Sequence, residues 1–120
     1  MTGSENNRLY DYIEHITQAI ERIRVYVDGM DEPAFMTDQL TQDAVIRNFE
    51  IIGEACNNVA KQFPAYADIH PQIPWRFAYE MRNVLAHGYF EVDLEIVWRT
   101  IHQDLPTLHA HACALLAQKQ

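Results

Sequence analysis

The sequence is poor in the residues that break helices and in those that form cross-links. Its 120 residues include four glycines, five prolines and two cysteines. Cys56 and Cys113 lack the spacing of a metal site, and two cysteines make a poor disulfide framework. We therefore expect a reduced protein in which both thiols are packed within helices.

Long apolar segments and positive charge are also scarce. No apolar run approaches the roughly 20 residues needed to cross a bilayer, and the N-terminus lacks a signal-peptide pattern. We expect a cytoplasmic protein that does not enter a membrane. Acidic residues outnumber basic ones by 17 to 9, for a net charge of −8, which argues against general coating of nucleic acid. Any contact with RNA must therefore be local.

Apolar residues recur at helical spacing along much of the chain. A first stripe is followed by Gly29, which can end a helix; it consists of Leu9, Ile13, Ile16, Ile20, Ile23 and Val27. Residues 31–36 are predicted to form a loop, and Thr37 and Asp38 to open a second helix. The buried side of that helix is predicted to contain Val45, Phe49, Ile52, Cys56, Val59 and Phe63.

Prolines divide the second half of the chain. An irregular linker is predicted between three of them, Pro64, Pro71 and Pro74. Pro74 suits the first turn of a third helix, which would reach about residue 87 and end at Gly88. Asp93 begins a predicted fourth helix, and Pro106 separates it from a fifth. Because no segment alternates like a strand, we predict one all-α domain over residues 1–120, an up-and-down bundle of four to five helices.

Three charged residues of the second helix, Arg47, Glu50 and Glu54, share one side at spacings of three and four. One interpretation is a surface ion cluster, which adds little stability. The other is that the cluster orients a catalytic group, chiefly through Glu54.

The third helix carries two different faces. One is wholly apolar and is the better candidate for the core: Phe77, Met81, Val84 and Leu85. The other holds Trp75, Tyr79, Arg82 and Ala86, and we predict that it points outward or toward another chain. It is either a half-buried aromatic face edged by the arginine or a subunit contact, since aromatics and arginine are enriched at interfaces.

The segment from residue 81 to residue 89 concentrates reactive side chains. Arg82 offers a permanently charged, planar fork of donors that suits phosphate oxygens, and His87 can exchange a proton near neutral pH. Asn83 lies four residues before His87 and so next to it on a helix. Arg82 and His87 are about 140° apart on a regular helix, so they meet only if the last turn unwinds at Gly88 or if a second subunit completes the pair.

These residues resemble a known family. The run from Arg82 through His87 to Tyr89 resembles the arginine–four–histidine–x–tyrosine motif of the HepT-like toxins in the HEPN superfamily. Residues 51–55, 92–98 and 104–106 look like other parts of that family, so nearly the whole chain is covered. One departure is Glu80, where many relatives have a small residue.

The resemblance implies a homodimer of helical bundles whose motif segments face each other across a composite cleft. It also implies a metal-independent endoribonuclease that acts as the toxin of a type VII toxin–antitoxin system, with mRNA or tRNA as substrate and no cofactor. The partner would be a small nucleotidyltransferase antitoxin of the MntA type, which transfers AMP to Tyr89 and silences the toxin.

Each motif residue suits a step in that chemistry. Arg82 would stabilise charge in the transition state, and His87 would take the proton of the ribose 2′-OH. Asn83 and Glu54 are expected to support the site or bind RNA. A second interpretation is a non-catalytic helical dimer that serves as binding partner and AMPylation substrate of a nucleotidyltransferase, and a third is a generic interaction bundle. The intact pair of Arg82 and His87 favours the enzyme.

Overall fold

A computed structural model describes residues 3–76 and 92–119, with side chains from residue 6 onward. Regular structure in these two ranges is entirely helical, which confirms the predicted all-α class. The helices are α1 (Gly3–Val27), α2 (Glu32–Met36), α3 (Gln39–Gln62), α4 (Pro64–Ile69), α5 (Leu94–Gln103) and α6 (Leu105–Ala117). None of the helices within the described ranges combines the length and apolar character needed to cross a membrane.

Helix α1 forms the centre of the core through its apolar stripe. All six residues of the predicted stripe are buried, from Leu9 at 0% exposure to Val27 at 6%. Each buried side chain of this size contributes about 1.5–3 kcal/mol to folding. Gly29 follows the helix with a φ of 77°, a conformation that glycine adopts without the steric cost of a Cβ. The predicted helix end is confirmed.

Helices α1 and α3 run antiparallel along one another. The Tyr12 hydroxyl near the start of α1 lies 3.1 Å from the Gln62 amide nitrogen at the end of α3. Further along α1, Arg22 contacts Asn48, which lies earlier in α3. The apolar side of α3 is buried as predicted from Val45 to Val59, whereas Phe63 is half-buried at the C-cap. Helix α6 also packs on α1 and buries Leu108, Ala112 and Leu115.

The prediction of a loop at residues 31–36 was wrong, because Glu32–Met36 form helix α2. Asp31 caps this helix by accepting a hydrogen bond from the Ala34 amide at 3.0 Å, and Pro33 fits the first turn, where its missing N–H is not needed. Phe35 is fully buried and its ring centroid lies 5.3 Å from that of Trp98. A buried aromatic anchor therefore stabilises a helix too short to show a periodic pattern.

The linker predicted between Pro64 and Pro74 is only partly irregular. Its first part, Pro64–Ile69, forms helix α4, because a proline suits the first turn of a helix as well as a linker. Ala67 of this helix is buried. Residues 70–74 are non-helical, as predicted.

The predicted starts of two helices are confirmed by their caps. Asp38 accepts a hydrogen bond from the Thr41 amide at 3.0 Å, and this backbone bond, followed by a side-chain bond to Thr41, lowers the pKa of the Asp38 carboxyl. Asp93 accepts from the amides of Glu95 and Ile96 at 3.1 and 3.2 Å. Helix α6 begins one residue after the end cap of α5, with Pro106 in its first turn, so the predicted separation of the last two helices is also confirmed.

The two thiols differ in a way that the sequence did not predict. Cys56 on α3 is completely buried, and burial raises the pKa of its thiol to about 12. Cys113 is also helical, but its side chain is exposed on α6. The expectation that both thiols are packed was therefore wrong for Cys113.

Candidate functional site

The predicted catalytic motif lies outside the described residues. This applies to Arg82, Asn83 and His87, to the predicted modification site Tyr89, and to the apolar face predicted between Phe77 and Leu85. Among the predicted site residues, Glu54 lies within the described ranges. The structure therefore bears on the site through Glu54 and through the segments on either side of the motif.

The segment before the motif is fixed by Trp75. This side chain is 8% exposed, and its indole N–H donates to the carbonyl oxygens of Ala67 and His70, both at 3.2 Å. Ile73, two residues earlier, is also buried. The prediction that Trp75 points outward or toward another chain was wrong, because the indole fills the monomer core and satisfies two carbonyls at the end of α4.

The segment after the motif is fixed by helix α5. Asp93 caps the helix, and Val97 is 1% exposed in the core. Trp98 packs between Phe35 of α2 and His102, with ring centroids 5.3 and 4.2 Å away. Core contacts thus hold the chain on both sides of residues 77–91.

Glu54 lies in a polar groove between α1 and α3, with a volume of about 470 Å³. We call it the α1–α3 groove. Its lining residues are Tyr12, His15, Gln18 and Arg22 from α1 and Ile51, Glu54, Ala55 and Asn58 from α3. The groove thus combines a guanidinium, an imidazole, a carboxylate and two amides, so it can present both donors and acceptors to a ligand.

Arg22 is positioned in this groove by a buried amide. Its Nε donates to Oδ1 of Asn48 at 2.8 Å, and the Asn48 amide nitrogen donates to the Ala44 carbonyl at 2.8 Å. Asn48 is only 4% exposed. The bond to Ala44 fixes the orientation of the Asn48 amide, which in turn fixes the guanidinium while leaving its terminal nitrogens for another partner.

The predicted ion cluster on α3 is reduced to one pair in the described structure. A terminal nitrogen of Arg47 lies 3.6 Å from a carboxylate oxygen of Glu50, and both side chains are well exposed. Such a pair contributes about 0–1 kcal/mol. Among the described residues Glu54 joins no ion pair, and it lines the α1–α3 groove instead.

A second pocket, of about 400 Å³, lies between α3 and the junction of α5 and α6. Phe49 and Ile52 of α3 contribute apolar lining. Pro74, which precedes the motif in the sequence, also lines the pocket. At its edge the Nδ1 atom of His111 lies 3.0 Å from the Gln72 carbonyl oxygen. This pocket is more apolar than the α1–α3 groove and contains fewer charged groups.

Sequence reasoning missed the pairing of Arg22 with Asn48. One signal was present, since Asn48 stands between Val45 and Ile52 at spacings of three and four, on a side of the helix that is otherwise apolar. A polar side chain at such a position needs a hydrogen-bond partner. The identity of that partner depends on the antiparallel register of α1 and α3, which a single helical pattern does not reveal.

The described helices define the class of the protein as an all-α bundle, and comparison with known proteins defines its family. The sequence matches the family described as ribonuclease HepT-like over residues 16–115, a range that contains both Glu54 and the whole motif. The chain belongs to the HepT-like family. None of the solved structures matches it significantly.

Several curated relatives support this assignment. A protein from Thermococcus cleftensis named "Probable ribonuclease HepT" is 44% identical over 98 residues, which cover 82% of this chain and 86% of the relative. A protein from Caldanaerobacter subterraneus subsp. tengcongensis, named as a "Putative RNase", is 35% identical over 109 residues, covering 91% of this chain and 95% of the relative.

One relative is much longer than this chain. A protein from Methanocaldococcus jannaschii, named as a gamma-glutamylcyclotransferase and putative RNase, is 41% identical over 97 residues. These residues cover 81% of this chain but 42% of the relative. The chain thus corresponds to less than half of that protein.

Proposed function

We propose that this chain is a metal-independent endoribonuclease that acts as the toxin of a toxin–antitoxin pair. The observation that carries the proposal is the family match over residues 16–115, which includes the complete motif from Arg82 to Tyr89. Two relatives that align over most of their length are named as ribonucleases. The residues of the motif supply the chemistry that those names require.

Cleavage would use the ribose of the RNA itself as the nucleophile. His87 removes the proton of a 2′-OH, the 2′-oxygen attacks the adjacent phosphorus, and the bond to the 5′-oxygen breaks. Arg82 stabilises the negative charge that builds on the phosphate oxygens. The 5′-oxygen leaves with a proton, which a second copy of His87 can donate. The products are a 2′,3′-cyclic phosphate and a 5′-hydroxyl, and DNA, which has no 2′-OH, is not cleaved.

The second histidine requires a homodimer with a composite cleft. The burial of Trp75 in the monomer core removes one of the two aromatics that the sequence assigned to this interface, and Tyr79 is the other. A two-fold contact would bring both motifs to one axis. Light scattering at micromolar concentration should give twice the 14.0 kDa monomer mass, and a monomer would remove the composite cleft.

The proposed control point is Tyr89, two residues after His87. An MntA-type nucleotidyltransferase would attach AMP to its phenol, and the added phosphate would pair with Arg82 and exclude RNA. Mass spectrometry after co-expression with such an antitoxin should find AMP on the Tyr89 peptide and none in Tyr89→Phe. An unmodified Tyr89 in a fully neutralised toxin would mean that the antitoxin only masks the site.

Alanine substitutions test the catalytic assignment. Arg82→Ala and His87→Ala should each lower the rate of RNA cleavage by at least about 10²-fold, because each removes a group that acts in the transition state. Arg47→Ala and His109→Ala are matched controls, since these side chains lie on α3 and α6 and contact Glu50 and Glu21, away from the segments that flank the motif. They should keep the wild-type rate.

Toxicity in cells separates this proposal from the binding-partner alternative. If His87→Ala remains as toxic as the wild type at matched expression, the chain does not act through this cleavage. The non-catalytic dimer that serves as substrate of a nucleotidyltransferase then becomes the better interpretation.

A further inference from the structure

We propose that the α1–α3 groove binds a nucleotide of the RNA strand, with Arg22 on a phosphate, and so forms an RNA contact separate from the motif. The inference rests on the proposed ribonuclease function. It adds a substrate-binding site on two helices that carry no residue of the motif.

The first argument is the way Arg22 is held. Its Nε bond to Asn48 commits one donor and leaves the terminal nitrogens available, and within the described ranges Arg22 has no carboxylate partner. By contrast, Arg47 is paired with Glu50 at 3.6 Å. A guanidinium that is oriented by a buried amide but not neutralised is suited to bind a phosphate, since the fork matches two phosphate oxygens.

The second argument is the ring pair at the other end of the groove. The rings of Tyr12 and His15 meet edge to face, with centroids 6.4 Å apart and planes at 73°. The Tyr12 hydroxyl is tied to Gln62 at 3.1 Å, which restrains the phenol, while His15 is exposed. Nucleobases of single-stranded RNA stack on such rings, so the groove offers a surface for a base as well as a site for a phosphate.

The third argument is the polar lining between these two ends. Glu54 is exposed and unpaired among the described residues, and Gln18 and Asn58 add amides. A carboxylate opposes binding of a bare anion but can accept hydrogen bonds from a ribose hydroxyl or a base amino group. Together with Arg22, it favours a nucleotide over an inorganic phosphate. The volume of about 470 Å³ lies within the range of small-ligand sites.

The net negative charge of the chain restricts RNA binding to contacts with individual side chains. Because the chain carries a net charge of −8, RNA is not held by a general positive field, and single oriented arginines carry more of the binding. Removal of one phosphate contact to a single strand should lower the slope of log K against log salt by about 0.7.

The test measures binding of a fluorescent single-stranded RNA to the full chain in a His87→Ala background, which keeps the strand intact. Arg22→Gln should weaken binding by about tenfold, as expected for a lost charged hydrogen bond, and should reduce the salt slope. Arg24→Gln is the matched control, because it removes the same charge from the same helix but contacts His109 on another face. It should leave the affinity unchanged.

In a chain that retains His87, Arg22→Gln should raise KM for RNA cleavage and leave kcat nearly unchanged, because the contact lies away from the reacting phosphate. Equal affinity and equal KM for wild type and Arg22→Gln would overturn the inference while leaving cleavage by the motif intact. A wild-type chain that neither binds nor cleaves RNA would overturn the proposed function and this inference with it.

A second measurement does not depend on any variant. RNA containing 4-thiouridine should cross-link on irradiation to one of the two wild-type tryptic peptides that line the groove. These are peptide 9–22, which contains Tyr12, His15 and Arg22, and peptide 48–61, which contains Glu54 and Asn58. Cross-links confined to peptides other than these two, in a chain that cleaves RNA, would contradict the assignment of the groove.

Discussion

The two cysteines show how strongly a side chain's chemistry depends on its surroundings. The thiol of Cys56 is enclosed in the core, where burial disfavours the charged thiolate and raises the pKa to about 12. Because the thiolate is the reactive species, Cys56 should resist alkylation at pH 8. Cys113 is exposed on α6.

Alkylation of the native protein with iodoacetamide should therefore modify Cys113 and spare Cys56, and both should react in urea. Tryptic mass spectrometry distinguishes the two peptides. Equal rates for the two cysteines in the native protein would show that the packing around Cys56 opens readily or differs from that described.

Trp75 shows the limit of sequence reasoning at the residue scale. A helical wheel groups it with Tyr79 and Arg82 and assigns the whole face one environment. In the structure its indole N–H instead donates to two carbonyls at the end of α4. A helical wheel that starts at residue 75 does not include these groups. Asn48 was missed for a similar reason, because its partner lies on a different helix.

At the scale of single elements, helix caps are the local contacts that most clearly determine where a helix begins. Asp93 satisfies two amides at the start of α5 with one carboxylate oxygen. Asp93→Ala leaves those amides without their partner and should lower the free energy of unfolding by about 1 kcal/mol. Asp93→Asn retains an acceptor and should lose less.

Urea unfolding followed by circular dichroism measures both variants. An alanine variant as stable as the wild type would mean that water or another group caps α5 equally well. A loss of several kcal/mol would instead mean that Asp93 does more than cap the helix.

Element length decided which helices the sequence could predict. The apolar stripe of α1 contains six residues at helical spacing, so the prediction of its buried face and of a helix end before Gly29 is correct. Helices α2 and α4 have five and six residues, too few for a periodic pattern to emerge. The linker prediction also rests on Pro64, although proline equally suits the first turn of a helix, which is its place in α4.

At the scale of the whole molecule, the family was predictable because the motif is a contiguous run of residues. The α1–α3 groove was not, since it depends on the antiparallel register of two helices that carry no recognisable motif. Glu54 belongs to both the predicted site and the groove. The α3 sequence predicts it as a supporting residue, and the structure places it in the groove with Arg22.

The acidic surface has a consequence for function at this scale. A net charge of −8 gives little general attraction to RNA, so cleavage must depend on a few oriented groups. RNA affinity should accordingly be modest.

The central claim is that this chain cuts RNA through the ribose 2′-OH with Arg82 and His87. The most direct test is mass spectrometry of the ends produced by the purified protein in excess EDTA. The account predicts 2′,3′-cyclic phosphate and 5′-hydroxyl ends, which disappear with His87→Ala. Cleavage that stops in EDTA, or that leaves 5′-phosphate ends, would contradict it.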